Sequence, residues 1–180
     1  MPIGSASFFF NCGEQNQLKI MAQATMKTKS VRSIPEGFHS VTPFLIVDNA
    51  PKFLEFIKNA FGAEITYDLR DDNGQVIHST AKIGNSLIMI ADTMGDMKQQ
   101  TSMLYIYLDD VDAAYKKAIQ AKAKSMDEPK DQFYGDRAGA VGDEWGNVWW
   151  LGTHIEDVDE ADLKERAKAE MEKRKQHAHA

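Results

Sequence analysis

An internal repeat constrains the fold of this chain more than any other feature of its sequence. Moving the first half forward by 61 residues places Asp48 on Asp109, and each aspartate lies between a β-forming segment and a helical one. With one residue of difference in loop length, the Gly84-Asn85 turn coincides with the Gly146-Asn147 turn. Each half has the pattern of a strand, a helix and three further strands. Such a duplication predicts two similar modules rather than one irregular core.

Hydrophobic spacing supports the helix and strand assignments. The first helix is predicted from apolar residues on one helical face, namely Ala50, Phe53, Leu54, Ile57 and Phe61. In the second half, a strand is predicted from the alternation of Met103, Tyr105 and Tyr107 with Leu104, Ile106 and Leu108. We therefore expect an α+β fold in which two βαβββ modules, 38–92 and 102–154, form a curved mixed sheet with the helices on its convex side. A cleft is expected along the concave faces.

Three segments are expected along the chain. Residues 1–34, with a short run of three phenylalanines among polar residues, are predicted to be a disordered leader. Residues 35–155 hold the two modules. Residues 156–180 are highly charged, which predicts a solvent-exposed helix followed by a tail.

Composition excludes several classes of function. The formal net charge of −6 argues against a nucleic acid or an anionic membrane as the main partner. No apolar run approaches the roughly 20 residues that a membrane-spanning helix needs. The single cysteine, Cys12, cannot form an internal disulfide or a cysteine-based zinc site. A reducing compartment, and hence a cytoplasmic location, is the expectation.

Two stretches resemble a known family. The early motifs V-D-N-A and F-G-A-E, and the late motif Y-G-D-R-A-G-A-V-G-D followed by G-N-V-W-W-L, are similar to those of the glyoxalase/bleomycin-resistance/extradiol-dioxygenase superfamily. This superfamily is also called the vicinal oxygen chelate (VOC) superfamily, and the resemblance is to its PhnB-like branch. It covers about residues 38–155. It implies the doubled βαβββ fold and a homodimer whose cleft is built from both chains, but no particular substrate.

The resemblance also locates the positions where catalytic relatives hold a divalent metal. Aligned on the strand-end aspartates and the Gly-Asn turns, these positions correspond to Val41, Ile88, Met103 and Trp150. None of these side chains is a useful ligand for such a metal. The nearest alternatives are His39 and His154. The expectation is therefore an apolar cleft with no metal and no cofactor.

Six residues are candidates for binding a ligand: His78, Met103, Tyr105, Tyr134, Arg137 and Trp150. His78 lies within a predicted strand, where it orients a ligand, binds a metal alone, or simply forms a hydrogen bond across the sheet. Arg137 could grip an anion with two hydrogen bonds, or pair with Asp136 or across a dimer interface. The aromatic residues form a stacking surface or belong to the core. No catalytic residue can be assigned.

Three functions fit this pattern. The first is a metal-free protein that binds a small organic molecule by stacking on Trp150 and Tyr105. The alternative is a metal-dependent lyase, isomerase or dioxygenase of the same superfamily, with His78 among the ligands. The third is a scaffold dimer whose cleft is filled by side chains. Whether the protein is an enzyme is left open, and methyltransferase activity has no motif to support it.

Overall fold

The structure of the protein, a computed structural model, describes residues 31–178. The elements follow in the order β1 (Phe44–Val47), α1 (Ala50–Phe61), β2 (Glu64–Arg70), β3 (Val76–Ile83), β4 (Ser86–Asp92), β5 (Met103–Tyr107), α2 (Val111–Gln120), β6 (Lys124–Asp131), β7 (Asp136–Gly142), β8 (Val148–His154) and α3 (Glu160–Ala178). The predicted order of strand, helix and three strands is therefore found twice. The predicted leader lies mostly outside the described residues.

The strands form two four-stranded sheets with the same topology. Their orders are β1-β4-β3-β2 and β5-β8-β7-β6. In each sheet the first and fourth strands of the module are parallel, whereas the other neighbouring strands are antiparallel. The predicted α+β fold with mixed sheets is confirmed.

Local chemistry explains where both module helices begin and where α1 ends. Asn49 caps α1 by accepting a hydrogen bond from the Lys52 amide, and Gly62 ends the helix in the left-handed conformation with φ 67°. Asp110 caps α2 by accepting a hydrogen bond from the Ala113 amide. The inward face of α1 is buried as its spacing predicted.

One hydrophobic core joins the two modules. The ring of Phe53 on α1 lies 5.0 Å from that of Trp145 and 6.3 Å from that of Trp149, both from the last hairpin of the second module. Phe61 lies 4.7 Å from Trp149. Helix α1 therefore packs against its own sheet on one side and against aromatic side chains of the second module on another.

The first strand is shorter than the sequence predicted. The alternation from His39 to Val47 predicts a long strand, but β1 begins at Phe44. Pro43 has no N–H to donate to a sheet, and before it the Thr42 hydroxyl donates a hydrogen bond to the His39 carbonyl. This local turn leaves Val41 exposed.

Helix α3 extends beyond the modules and is exposed along most of its length. Arg166 binds Glu156 through two hydrogen bonds, both of 2.7 Å. The predicted charged helix is therefore present. Among residues 31–178, no helix combines the length and the apolar composition that crossing a membrane requires.

Candidate functional site

Each sheet packs one face against the core and leaves the other partly open, with large apolar and aromatic side chains on it. On the first sheet, Phe44 and Tyr67 are 49% and 52% exposed. On the second sheet, Met103 and Tyr107 are 72% and 63% exposed. Large exposed apolar side chains grouped on one face mark a surface that binds another molecule.

A groove of 670 Å³ lies over the outward face of the first sheet. His78 lines this groove from β3, and its ring lies 5.8 Å from Phe44 and 6.1 Å from Tyr67. Lys82, two strand positions beyond Thr80, also lines the groove and brings a positive charge. His78, one of the six predicted ligand-binding residues, therefore lines a groove and has two aromatic rings beside it.

A second groove, of 610 Å³, is lined by β5 and by the turn between β3 and β4. Tyr105 and Tyr107 line it from the second module. Asn85 and Leu87 line both grooves, so the two grooves adjoin at this turn. The surfaces that carry His78 and Tyr105 therefore meet within one chain.

The tyrosines at the second groove bind a buried carboxylate. The hydroxyl groups of Tyr105 and Tyr107 donate to the same oxygen of Asp136, Oδ2, at 3.0 and 2.9 Å. The other oxygen, Oδ1, lies 2.8 Å from Nδ1 of His154. Nε2 of the same imidazole lies 3.1 Å from the carboxylate of Asp157. We call Tyr105, Tyr107, Asp136 and His154 the tyrosine–aspartate network.

Strand register explains how these four side chains come together. Parallel pairing places Tyr107 beside Gly152, and antiparallel pairing places Asp136 beside His154. Because residues two apart share a face, all four point to the same side of the second sheet. Gly152 leaves the space through which Tyr105 reaches Asp136, since a Cβ there would lie 2.8 Å from Cε1 of the Tyr105 ring.

The network keeps the carboxylate charged and the tyrosines protonated. Burial acts to raise the pKa of Asp136, but hydrogen bonds from His154, Tyr107 and Tyr105 outweigh burial and hold that pKa below its ordinary value. Burial, followed by hydrogen bonds with Tyr134 and Asp136, raises the pKa of Tyr105. The hydrogen bond to Asp136 is the largest cause that raises the pKa of Tyr107.

His154 is held toward its protonated form. Its hydrogen bond to Asp136, and then its hydrogen bond to Asp157, raise its pKa above the ordinary value. The imidazole is about half exposed, whereas the Asp136 side chain is 3% exposed. When protonated, the half-exposed imidazole neutralises this buried carboxylate.

Five of the six candidate residues lie where a ligand could contact them. Tyr105 pairs with Trp150 across the β5–β8 ladder, and Met103 is on the same face as Tyr105. Tyr134 lies close enough to Tyr105 to raise its pKa through a hydrogen bond. These residues form the outward face of the second sheet, and His78 belongs to the adjoining first groove.

Arg137 lies apart from the other five. It is adjacent to Asp136 on β7, so alternation directs its side chain to the opposite face of the sheet. There its Nε and Nη2 donate to the two oxygens of Asp112 on α2 at 2.7 and 2.9 Å, and Nη1 donates to Asp131. All three donor nitrogens of the guanidinium are therefore paired with carboxylates on the helix side.

The repeat alignment of the fourth strands is wrong by one residue. Phe44 pairs with Met89 in the first sheet, and Tyr105 pairs with Trp150 in the second. The counterpart of Trp150 is therefore Met89, whereas Ile88 is buried in the core. The fourth strands of the two modules are therefore related by the same shift of 61 residues as the first strands. The extra residue suggested by the Gly-Asn turns is not needed.

The residues present do not fit a divalent metal centre. Met89, Met103 and Trp150 offer thioether and indole groups, which are poor ligands for such a metal. The two nitrogens of His154 face two different carboxylates, so this group cannot converge on one ion. Within residues 31–178, no three His, Cys, Asp or Glu side chains are grouped as a metal site requires.

The fold and the sequence agree on the family. The model of the Glyoxalase/Bleomycin resistance protein/Dioxygenase superfamily matches residues 37–151. The chain belongs to this superfamily. This confirms the family that the repeated motifs indicated, and the match ends within β8, before His154.

Relatives of this superfamily member extend the comparison. An uncharacterized protein of Mycobacterium bovis is 29% identical over 130 residues, which cover 66% of this chain and 86% of the relative. The PhnB protein of Bacillus cereus has a TM-score of 0.53 and 22% identity, covering 64% of this chain and 99% of that one. TnmS3, an antibiotic binding protein of Streptomyces sp. CB03234, has a TM-score of 0.54 and 20% identity, covering 69% and 99%. At these identities the two solved structures show the shared fold.

Three residues of the network, Tyr107, Asp136 and His154, are not among the six candidates. Alternation along three neighbouring strands identifies them, because β5, β8 and β7 place them on one face. The order of those strands was the missing information.

Proposed function

We propose that this superfamily member is a small-molecule binding protein that holds an organic ligand on the outward, aromatic faces of its sheets without a metal ion. The open face of the second sheet is the observation that carries the proposal. There Met103, Tyr105, Tyr107 and Trp150 present apolar and aromatic surface beside a polar network. An aromatic platform with few fixed polar groups is the usual form of an organic ligand site.

Groove size supports this function. The grooves of 670 and 610 Å³ fall within the range of about 300–1,000 Å³ that is usual for ligand sites. Tyr105 lines the second groove, and Trp150 pairs with Tyr105 on the same sheet face, so both rings offer stacking surface. His78 offers a polar group in the first groove. TnmS3, described as an antibiotic binding protein, has the same fold, so the fold is compatible with this role.

We also propose that two copies form a homodimer. Phe44, Tyr67, Met103 and Tyr107 remain exposed in one chain. A second copy that covers these faces would bury apolar surface and enclose the ligand. Analytical ultracentrifugation should give the mass of a dimer, and substitution of Phe44 and Met103 by glutamate should give the monomer. A wild-type monomer at high protein concentration would overturn this part of the proposal.

The binding function is tested by screening aromatic compounds with the purified protein by ligand-observed NMR. Compounds that bind should lose at least about tenfold in affinity in Trp150→Ala, because the stacking surface is removed. Tyr115→Phe is the matched control, since its hydroxyl bonds Ser125 away from the grooves. The site is wrong if Trp150→Ala leaves the affinity of each compound that binds unchanged.

The metal-dependent alternative has one observation in its favour, the imidazole of His78 in the first groove. Elemental analysis of the purified protein separates the two functions. A stoichiometric ion that is lost in His78→Ala, with activity restored by nickel, zinc, manganese or iron, would support a lyase, isomerase or dioxygenase. The binding proposal expects no stoichiometric ion.

A further inference from the structure

We propose that the tyrosine–aspartate network selects ligands that carry a hydrogen-bond donor or a positive charge, such as an alkylamine that also bears an aromatic ring, and disfavours carboxylates. The proposal rests on the binding function above and names the ligand class for the second groove. It begins from the contacts of Asp136, whose carboxylate is fully occupied by Tyr105, Tyr107 and His154.

The direction of these hydrogen bonds decides which polar group the groove presents to a ligand. Because Tyr107 donates its hydroxyl proton to Asp136, its oxygen keeps lone pairs that can only accept a hydrogen bond. The Tyr107 side chain is also the most exposed member of the network. A ligand that reaches this hydroxyl therefore meets an acceptor, which the adjacent carboxylate makes more electron-rich.

The charges around the network also favour a cationic ligand over a carboxylate. Asp136 and Asp157 carry two negative charges around the single imidazole of His154. The group therefore keeps a net negative charge whether His154 is protonated or neutral. Arg137, which follows Asp136 in sequence, points to the other face and is paired with Asp112 and Asp131. Among the described residues that line the second groove there is no lysine or arginine.

The rest of the second groove suits the apolar part of such a ligand. Pro43, Leu87, Leu104 and Ile106 line it together with the rings of Tyr105 and Tyr107. A positive group near these rings would also gain a cation–π attraction. The first groove differs, because its lining includes one residue of each charge, Lys82 and Glu36.

Three probes with the same ring system test the inference: 2-naphthylmethylamine, 2-naphthalenemethanol and 2-naphthoate. Titrated into the full chain at pH 7, the amine should bind at least about tenfold more tightly than the carboxylate, with the alcohol between them. In Tyr107→Phe, which keeps the ring, the preference should fall to about threefold or less. Tyr115→Phe should retain the full preference, and circular dichroism checks the fold of each variant.

The outcomes separate the inference from the function on which it rests. If the three probes bind equally, or if the carboxylate binds best, the inference is wrong and the binding function stands. An unchanged preference in Tyr107→Phe would also overturn it, because the acceptor would then lie elsewhere. If none of the three probes binds at millimolar concentration, both the inference and the proposed aromatic site fail.

Discussion

Asp136 begins β7 and Asp143 directly follows its last residue; both carboxylates are buried, but their hydrogen-bond partners differ in exposure. Asp143 accepts from the amides of Trp145 and Asn147 and from the side chains of Asn147 and Trp149, which belong to the core or to the turn. Asp136 accepts from Tyr105 and Tyr107, which line an open groove, and its other oxygen contacts the half-exposed imidazole of His154. A carboxylate with buried partners fixes the hairpin, whereas one with exposed partners organises a surface that a ligand can reach.

The largest expected effect is on stability at Asp143. Asp143→Ala leaves four donors without their acceptor, including the buried indole N–H of Trp149, so the free energy of unfolding should fall by about 3–4 kcal/mol. Urea denaturation followed by tryptophan fluorescence measures this. The adjacent Glu144→Ala should change the free energy by less than about 1 kcal/mol, because its pair with Lys52 is exposed. Equal effects of the two substitutions would contradict a structural role for Asp143.

Gly152→Ala should have the next largest effect. The added Cβ collides with the Tyr105 ring and displaces it from Asp136, and we expect a loss of about 2 kcal/mol in the free energy of unfolding. In a Tyr105→Ala background the same substitution should cost much less, because the clash is gone. A double-mutant cycle by urea denaturation gives the coupling. If the effects of the two substitutions were additive, Gly152 would not be needed to make space for the Tyr105 ring.

Asp136→Ala should destabilise the protein less than Asp143→Ala does. The hydroxyl of Tyr107 and the imidazole of His154 are exposed enough to bond water instead, so we expect a loss of about 1–2 kcal/mol. The preference for the naphthylmethylamine probe should disappear in this variant. A loss as large as that of Asp143→Ala would remove the distinction between the two carboxylates.

The smallest expected effect is a pH dependence of stability. The raised pKa of His154 contributes stability that is full below its ordinary pKa of about 6.5 and is lost as the pH rises through the folded value. The lowered pKa of Asp136 contributes stability above its ordinary value, and this is lost as the pH falls through the folded value.

Urea denaturation between pH 3 and pH 9 measures both the alkaline limb, where stability falls as the pH rises, and the acidic limb, where it falls as the pH drops. His154→Gln should flatten the alkaline limb, and His78→Gln is the control because its described ring contacts are with Phe44 and Tyr67. An alkaline limb that persists in His154→Gln would show that another group causes it.

Periodicity and turn chemistry predicted the fold well because they are local signals. The repeat predicted both modules, and alternation placed Met103, Tyr105 and Tyr107 opposite Leu104, Ile106 and Leu108 as the structure has them. Where the prediction rested on loop length, it failed by one residue at Ile88. The pairing register of β1 with β4 is set by packing between strands distant in sequence, which a turn motif does not report.

The candidate site could be predicted only in part. The aromatic face follows from alternation, but the roles of Asp136 and His154 depend on which strands are neighbours. Arg137 shows the same limit, because its neighbour Asp136 faces the groove while Arg137 binds Asp112 on a helix 25 residues away in sequence. Adjacent polar residues in a strand point to opposite faces, so a compact motif need not be a compact site.

The central claim is that this chain binds an aromatic ligand without a metal. Isothermal titration of 2-naphthylmethylamine into protein stripped with EDTA tests it most directly, with the Trp150→Ala variant in parallel. We predict that EDTA leaves the affinity unchanged and that Trp150→Ala weakens it at least about tenfold. Binding that disappears in EDTA and returns with added nickel, zinc, manganese or iron would contradict the claim.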